Sequence, residues 1–361
     1  MKIGIQTFHK TTNYGAILQT YALQKYINDR GIDCEIIDYS SPAITRREEP
    51  MKLKNIVSFK DLLKYITGSR AQKLKHKKFD LFIQNFIKIS DIHYVKKSLN
   101  KASSVYDIII VGSDQVWNLD LTEKDYSYFL DYASNKTLKC SYAPSFGYEQ
   151  IPEIYKEESK FFLEQFNYLS VREQQGEAII NELTNRISTV VLDPTFLLPK
   201  EQWETISSGD KVKKNYILVY FIHNGDSTFD FIKKLANDYD CEIIYINKTF
   251  RLKKGMKNIR SASPNEFLTL LINAEFVVTG SFHGVALSII MNKQFFYERA
   301  SNKNNYNSRI DSIITLLNLE EQNILLNEND YSSIDYNLVE GKLRIFKKTS
   351  IEYIDKIISV K

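Results

Sequence analysis

Cysteine is scarce in this chain: Cys34, Cys140 and Cys241 are the only three in 361 residues, odd in number and far apart. That pattern argues against a disulfide frame or a zinc site and fits reduced intracellular thiols. Histidine is equally sparse. His9, His76, His93, His223 and His283 stand without Cys or His partners at ligand spacing, so no metal site and no bound cofactor are expected. No apolar run reaches the roughly 18 residues of a membrane-spanning helix. The opening Met1-Lys2-Ile3-Gly4-Ile5 enters a strand pattern directly, without a basic n-region or an apolar core, so export by a signal peptide is not expected. Charge of one sign is also lacking: 48 basic and 44 acidic residues leave +4, too little to call for nucleic acid. A cytoplasmic protein is the expectation, with peripheral contact at the inner face of the membrane left open.

What is present is ordinary globular composition, 43% hydrophobic and 25% charged, in a chain too long for one core of usual size. Two domains are expected. Apolar strand patterns alternate with helical ones: Ile3 to Thr7, then a helix from Gly15 to Asp29, then Cys34 to Tyr39 and Tyr106 to Gly112. The second half restarts with Tyr216 to Ile222, Glu242 to Ile246, Phe276 to Thr279 and Gln294 to Tyr297. Such alternation predicts an α/β fold of two Rossmann-like, doubly wound domains with a ligand cleft between them. The expected limits are 1–200 for the first domain, on the acceptor side, and 213–335 for the second, on the donor side. Residues 336–361 read as a terminal helix that packs back on the first domain. Residues 41–104, dense in Lys and Arg, read as a helical insertion on the outside of the first domain.

The most informative motif lies near the far end. The apolar run Ala274 to Thr279 breaks at Gly280-Ser281-Phe282-His283-Gly284 and resumes from Val285 to Met291. A buried strand, a glycine-flanked Ser and His, and then a helix aim N–H groups, a hydroxyl and an imidazole at one small volume, the usual place for an anion. The helix dipole favours neutral His283, which can take a proton from a hydroxyl or, once charged, return one.

Other candidates follow other strands. Asn13-Tyr14-Gly15 ends the loop after the first strand, where Asn13 either meets a ligand or merely caps the helix. Gly112-Ser113-Asp114-Gln115-Val116-Trp117-Asn118 combines Asp114, Gln115 and Asn118 with an aromatic ring, as carbohydrate sites do; Trp117 as core filler is the rival reading. Arg172 has the fork geometry for a carboxylate or phosphate, against the alternative of an ion pair with Glu173 or Asp193. Tyr297-Glu298-Arg299 and the loop Asn304 to Arg309 are second-tier candidates.

Taken in order, Asn13-Tyr14-Gly15, Gly112 to Asn118, Ser141-Tyr142-Ala143, Ser170-Val171-Arg172-Glu173, Asp193-Pro194-Thr195 and Ser281-Phe282-His283-Gly284 resemble the polysaccharide pyruvyl transferase family. The resemblance runs from about residue 1 to about 320. It implies a GT-B-like fold and transfer of a pyruvyl group from phosphoenolpyruvate, the donor substrate, to two hydroxyls of a sugar or lipid-linked glycan acceptor as a ketal. On it, His283 is the acid/base and Arg172 an anion clamp, with Ser281, Gly284, Arg299 and Arg309 on the donor side. Asn13, Tyr14, Asp114, Gln115, Trp117 and Asn118 fall on the acceptor side. Family members often read Arg-Leu-His-Gly where this chain has Ser281-Phe282-His283-Gly284, so Ser281, Arg299 or Arg309 is expected to stand in for the missing Arg. A GT-B glycosyltransferase using a nucleotide sugar and a non-catalytic glycan-binding relative are the competing readings.

Overall fold

The computed structural model describes residues 1–48, 59–209, 215–222, 228–247, 252–299, 308–326, 331 and 333–360. The first of two parallel sheets joins β1 (Lys2–Gln6), β2 (Asp33–Asp38), β3 (Ile89–His93), β4 (Ile108–Val111) and β5 (Leu138–Ser141) in the order β3-β2-β1-β4-β5. A short pair, β6 (Ser170–Val171) with β7 (Thr189–Val190), continues from it through a bridge between Cys140 and Tyr168. The second sheet joins β8 (Tyr216–Tyr220), β9 (Glu242–Ile246), β10 (Lys257–Ile259), β11 (Phe276–Thr279) and β12 (Gln294–Tyr297) in the order β10-β9-β8-β11-β12. The two lobes therefore repeat one winding, as expected of two Rossmann-like domains. Each has a switch point beside its first strand, where ligands of such sheets bind.

The strands are what parallel sheets covered on both faces require. β4 reads Ile-Ile-Ile-Val and β11 Phe-Val-Val-Thr, every residue buried. The helix Tyr14–Asn28 is almost as enclosed, with thirteen of its fifteen residues buried. It lies between the lobes, against the helices Pro264–Ile272 and Phe282–Ile290 of the second. Tyr14 stacks on Phe267 at 4.4 Å between centroids, and its hydroxyl donates to the Ala262 carbonyl at 2.9 Å. Lys78 of the first lobe pairs with Glu266 of the second at 2.6 Å. One hydrophobic cluster runs through both lobes, from Ile3 and Ile110 to Leu218 and Val277.

Residues 41–104 differ from the expectation of an external insertion. They supply β3 and the helix Phe59–Phe86, whose Phe79 and Phe82 are buried in the shared core. This helix is the crossover from β2 to β3. Its many lysines hid the apolar stripe, because long cationic stems lie beside that stripe and keep their heads in water. β10 was also unread; three residues with polar Lys257 and Asn258 leave no periodicity to detect.

The terminal helix Tyr336–Ile358 lies along the first lobe. Ser350 Oγ accepts from Leu192 N at 2.8 Å, the Tyr353 hydroxyl donates to the Ser141 carbonyl at 2.9 Å, and Arg30 pairs with Asp355 at 2.8 Å. Around the expected boundary between the two domains, residues Lys200–Thr205 are helical and 210–214 lie outside the described residues.

Candidate functional site

Helix starts from the two lobes meet at one point. In the first lobe, Asn13 caps the helix that follows β1, its Oδ1 accepting from Gly15 N at 3.0 Å. In the second, Ser281 caps the helix that follows β11, its Oγ accepting from Gly284 N at 3.4 Å. The His283 ring lies against Gly15 so closely that a Cβ there would stand 2.0 Å from Nδ1. Only glycine lets the two helix ends meet around an imidazole.

Behind the ring is a buried charge network built from the ends of β4, β6 and β7. Asp193 is its centre. Its Oδ2 accepts from Ser113 Oγ at 2.9 Å and from Arg172 Nη1 at 3.1 Å; its Oδ1 accepts from Thr195 N at 3.0 Å and Thr195 Oγ1 at 2.8 Å. His283 Nε2 approaches Oδ2 to 3.4 Å from the other lobe, short of hydrogen-bond alignment. Burial alone would raise the Asp193 carboxyl, but His283 and Arg172 outweigh it and hold the group well below the usual carboxylate range. Burial likewise opposes the Arg172 charge, and the carboxylates of Asp193, Glu173 and Asp114 more than restore it.

Arg172 thus makes the ion pairs that were the alternative to an anion clamp: Asp193, and Glu173 at 3.6 Å. Its guanidinium also lies 4.6 Å over the Phe282 ring. Even so, Arg172 Nη2 is buried without a hydrogen-bond partner, a cost of about 1–3 kcal/mol unless something accepts from it. A cavity of about 590 Å³ opens beside it, lined by Arg172, Phe282, Arg309, Asp311 and Phe346 among others. Arg309 comes from the helix Ser308–Leu317 and reaches across to Asp114, 4.0 Å from its carboxylate.

The other expected site residues divide. Tyr14 and Trp117 are not acceptor contacts. Tyr14 is interlobe core, and Trp117 is wholly buried, stacked on Phe129 at 5.4 Å with Nε1 donating to the Tyr128 carbonyl. An indole or phenol buries large area once its polar atom finds a carbonyl, and both did. Asn118, like Asn13, caps a helix, accepting from Leu121 N at 2.9 Å. Asp114, at φ +77, accepts from Gln115 N, and Gln115 Nε2 is buried without a partner beneath Gly147. Gly284 packs on Thr279, leaving 2.3 Å between a Cβ and Oγ1, and Ser281, buried and uncharged, uses its Oγ to cap the helix at Gly284 N. Arg299 is half exposed and pairs with Asp311 at 2.7 Å. Of the Asn304 to Arg309 loop, residues 304–307 lie outside the described residues and Arg309 is helical.

Sequence reasoning passed over Asp193 as a site residue, along with Ser113, Thr195 and Gly15. The sequence offered Asp193 only as an ion-pair partner of Arg172; that it also caps the short helix Pro194–Leu197 and faces His283 from across the lobe boundary depends on contacts that spacing along the chain does not carry. Among the described residues, no group of three His, Cys, Asp or Glu side chains is arranged to hold a metal ion, and no helix is long and apolar enough to cross a membrane.

Residues 13–299 match the family described as polysaccharide pyruvyl transferase. No curated protein matches the chain. Among solved structures, a UDP-GlcNAc 2-epimerase from Methanocaldococcus jannaschii is 14% identical with a TM-score of 0.44, covering 100% of this chain and 94% of that one. The UDP-GlcNAc 2-epimerase from Neisseria meningitidis bound to UDP-GlcNAc is 10% identical with a TM-score of 0.46, over 98% and 100%. The glycosyltransferase SsfS6 from Streptomyces sp. SF2575 is 11% identical with a TM-score of 0.42, over 98% and 96%. These likenesses are too distant to bear on what the site does.

Proposed function

The chain belongs to the polysaccharide pyruvyl transferase family, and on that premise we propose that it moves a pyruvyl group from phosphoenolpyruvate to two hydroxyls of a glycan precursor, forming a ketal and releasing phosphate. The observation that carries this reading is the meeting of His283, Asp193 and Arg172 at the point where helix starts from both lobes converge. Two helix N-termini and the unpartnered Nη2 of Arg172 suit a small substrate that bears both a carboxylate and a phosphate.

The protons close on one imidazole. Charged His283 gives its proton to the enol carbon, and the neighbouring carbon becomes cation-like. A first hydroxyl oxygen bonds to that carbon and its proton passes to His283. The ring then protonates the departing phosphate as its C–O bond breaks. The second hydroxyl attacks, and its proton restores charged His283. Two hydroxyl protons are thus accounted for, one on the new methyl group and one on phosphate. Asp193 offsets the imidazolium charge at each stage in which it exists.

The acceptor is read as a sugar or lipid-linked glycan handled at the cytoplasmic membrane face. Exposed Arg70, Lys73 and Lys77 on the helix Phe59–Phe86 suit anionic headgroups there. The test is thermal stability of wild type and His283→Ala against phosphoenolpyruvate and a panel of nucleotide sugars, followed by phosphate release with candidate acceptors. Stabilisation by phosphoenolpyruvate, weakened in the variant, is the expected result; stabilisation by a nucleotide sugar alone would move the activity to glycosyl transfer.

A further inference from the structure

Asp193 is tied more completely than a helix cap requires. Both of its oxygens are engaged from its own lobe, Oδ1 by Thr195 and Oδ2 by Ser113 and Arg172, so the carboxylate plane is fixed before the second lobe contributes anything. An ionised carboxylate only accepts hydrogen bonds. Facing His283 Nε2 at 3.4 Å, it therefore favours the ring form that carries hydrogen on Nε2. Nδ1 is left with the lone pair. Gly15, on which the ring packs, has its N–H already committed to Asn13 Oδ1 at 3.0 Å, and Nδ1 has no hydrogen-bond partner among the described residues. The buried, unpartnered nitrogen is Nε2, so the small accessible part of the ring includes Nδ1. Asp193 faces the ring directly and pairs with Arg172, whose charge Glu173 and Asp114 also support.

We propose that Asp193 is the positioning residue of this site: it holds His283 in the Nε2–H form across the lobe boundary and confines proton exchange with substrate to Nδ1. This rests on His283 being the acid/base of the proposed reaction. Each exchange described above then occurs at Nδ1, beside the helix start at Gly15, while Nε2–H stays turned toward Asp193.

The experiment is a two-bond ¹⁵N–¹H correlation spectrum of the ¹⁵N-labelled full chain at about pH 8, where an ordinary imidazole is neutral. His283→Gln assigns the signals by subtraction from the five histidines. The Nε2–H pattern is expected for His283 in wild type, giving way to the other form or a mixture in Asp193→Asn. In that variant kcat should fall about 100-fold, with the KM for phosphoenolpyruvate within about threefold of wild type and the acidic limb of the pH profile displaced. An Nδ1–H pattern in wild type would overturn the proposal, and that spectrum decides even if Asp193→Asn fails to fold. Wild type with the Nε2–H pattern but no transfer from phosphoenolpyruvate would instead refute the donor and leave the role of Asp193 standing.

Discussion

Replacing Gly15 with Ala tests whether the imidazole is where activity resides. The added Cβ would lie 2.0 Å from His283 Nδ1, 2.4 Å from Cγ and 2.7 Å from Cε1. Ordinary non-bonded separation is about 3.5 Å, so the ring has to retreat by about 1.5 Å. That retreat takes Nε2 out of its 3.4 Å relation to Asp193 or forces the lobes apart. Misplacing a reacting group by about 1 Å costs on the order of 100-fold in rate, which sets the expected fall in kcat. General unfolding is separable from this effect, since Ala in a helix is intrinsically favoured over Gly by about 0.5–1 kcal/mol. Gly341→Ala, in the terminal helix with nothing within 4 Å of the new Cβ, is the matched control and should be slightly stabilised at full activity. The assay is phosphate release with saturating phosphoenolpyruvate and acceptor, run beside thermal melts. A Gly15→Ala protein with kcat within about threefold of wild type would refute the reasoning.

Removing the Arg172 guanidinium strands Asp193 and Glu173 as buried carboxylates; Arg172→Met should lose about 3–5 kcal/mol in urea melts. The depressed Asp193 pKa fixes the sign of a pH effect. A lowered folded-state pKa stabilises above the unfolded carboxylate value near about 4 and loses that contribution as pH falls through the folded value, so the stability gap between wild type and Asp193→Asn should narrow on acidification below about pH 4. A gap that widens there would contradict the assignment. Trp117→Phe should cost about 1 kcal/mol through the Tyr128 carbonyl left unpaired, with acceptor KM unchanged; a raised KM would return Trp117 to the binding site.

Much of this was legible along the chain. Ile-Ile-Ile-Val and Phe-Val-Val-Thr read as strands of a sheet covered on both faces, and Ser281-Phe282-His283-Gly284 after such a strand reads as the start of a helix. Arg172 and His283 were legible as candidates because few residue types do what they do at a strand end. Trp117 and Tyr14 were misplaced for the converse reason: an amphipathic aromatic serves core and binding face equally well, and composition does not say which side of a loop is inward. β3 was missed because the helix before it carries six lysines and Arg70, although the stripe Phe79-Phe82-Ile83 was there to be read.

The kind of fold, the repeated winding of the two lobes and the two strand ends that carry a guanidinium and an imidazole follow from the order of residues alone. Those are set by local periodicity, which acts over a few residues. That Asp193, ninety residues before His283, faces it across the lobe boundary, that Gly15 makes room for the ring, and that Arg172 lies between a buried ion pair and a cavity emerge only once the chain is folded. Each depends on how two sheets face one another through a helix buried on nearly every side, and no spacing along a single chain encodes that distance.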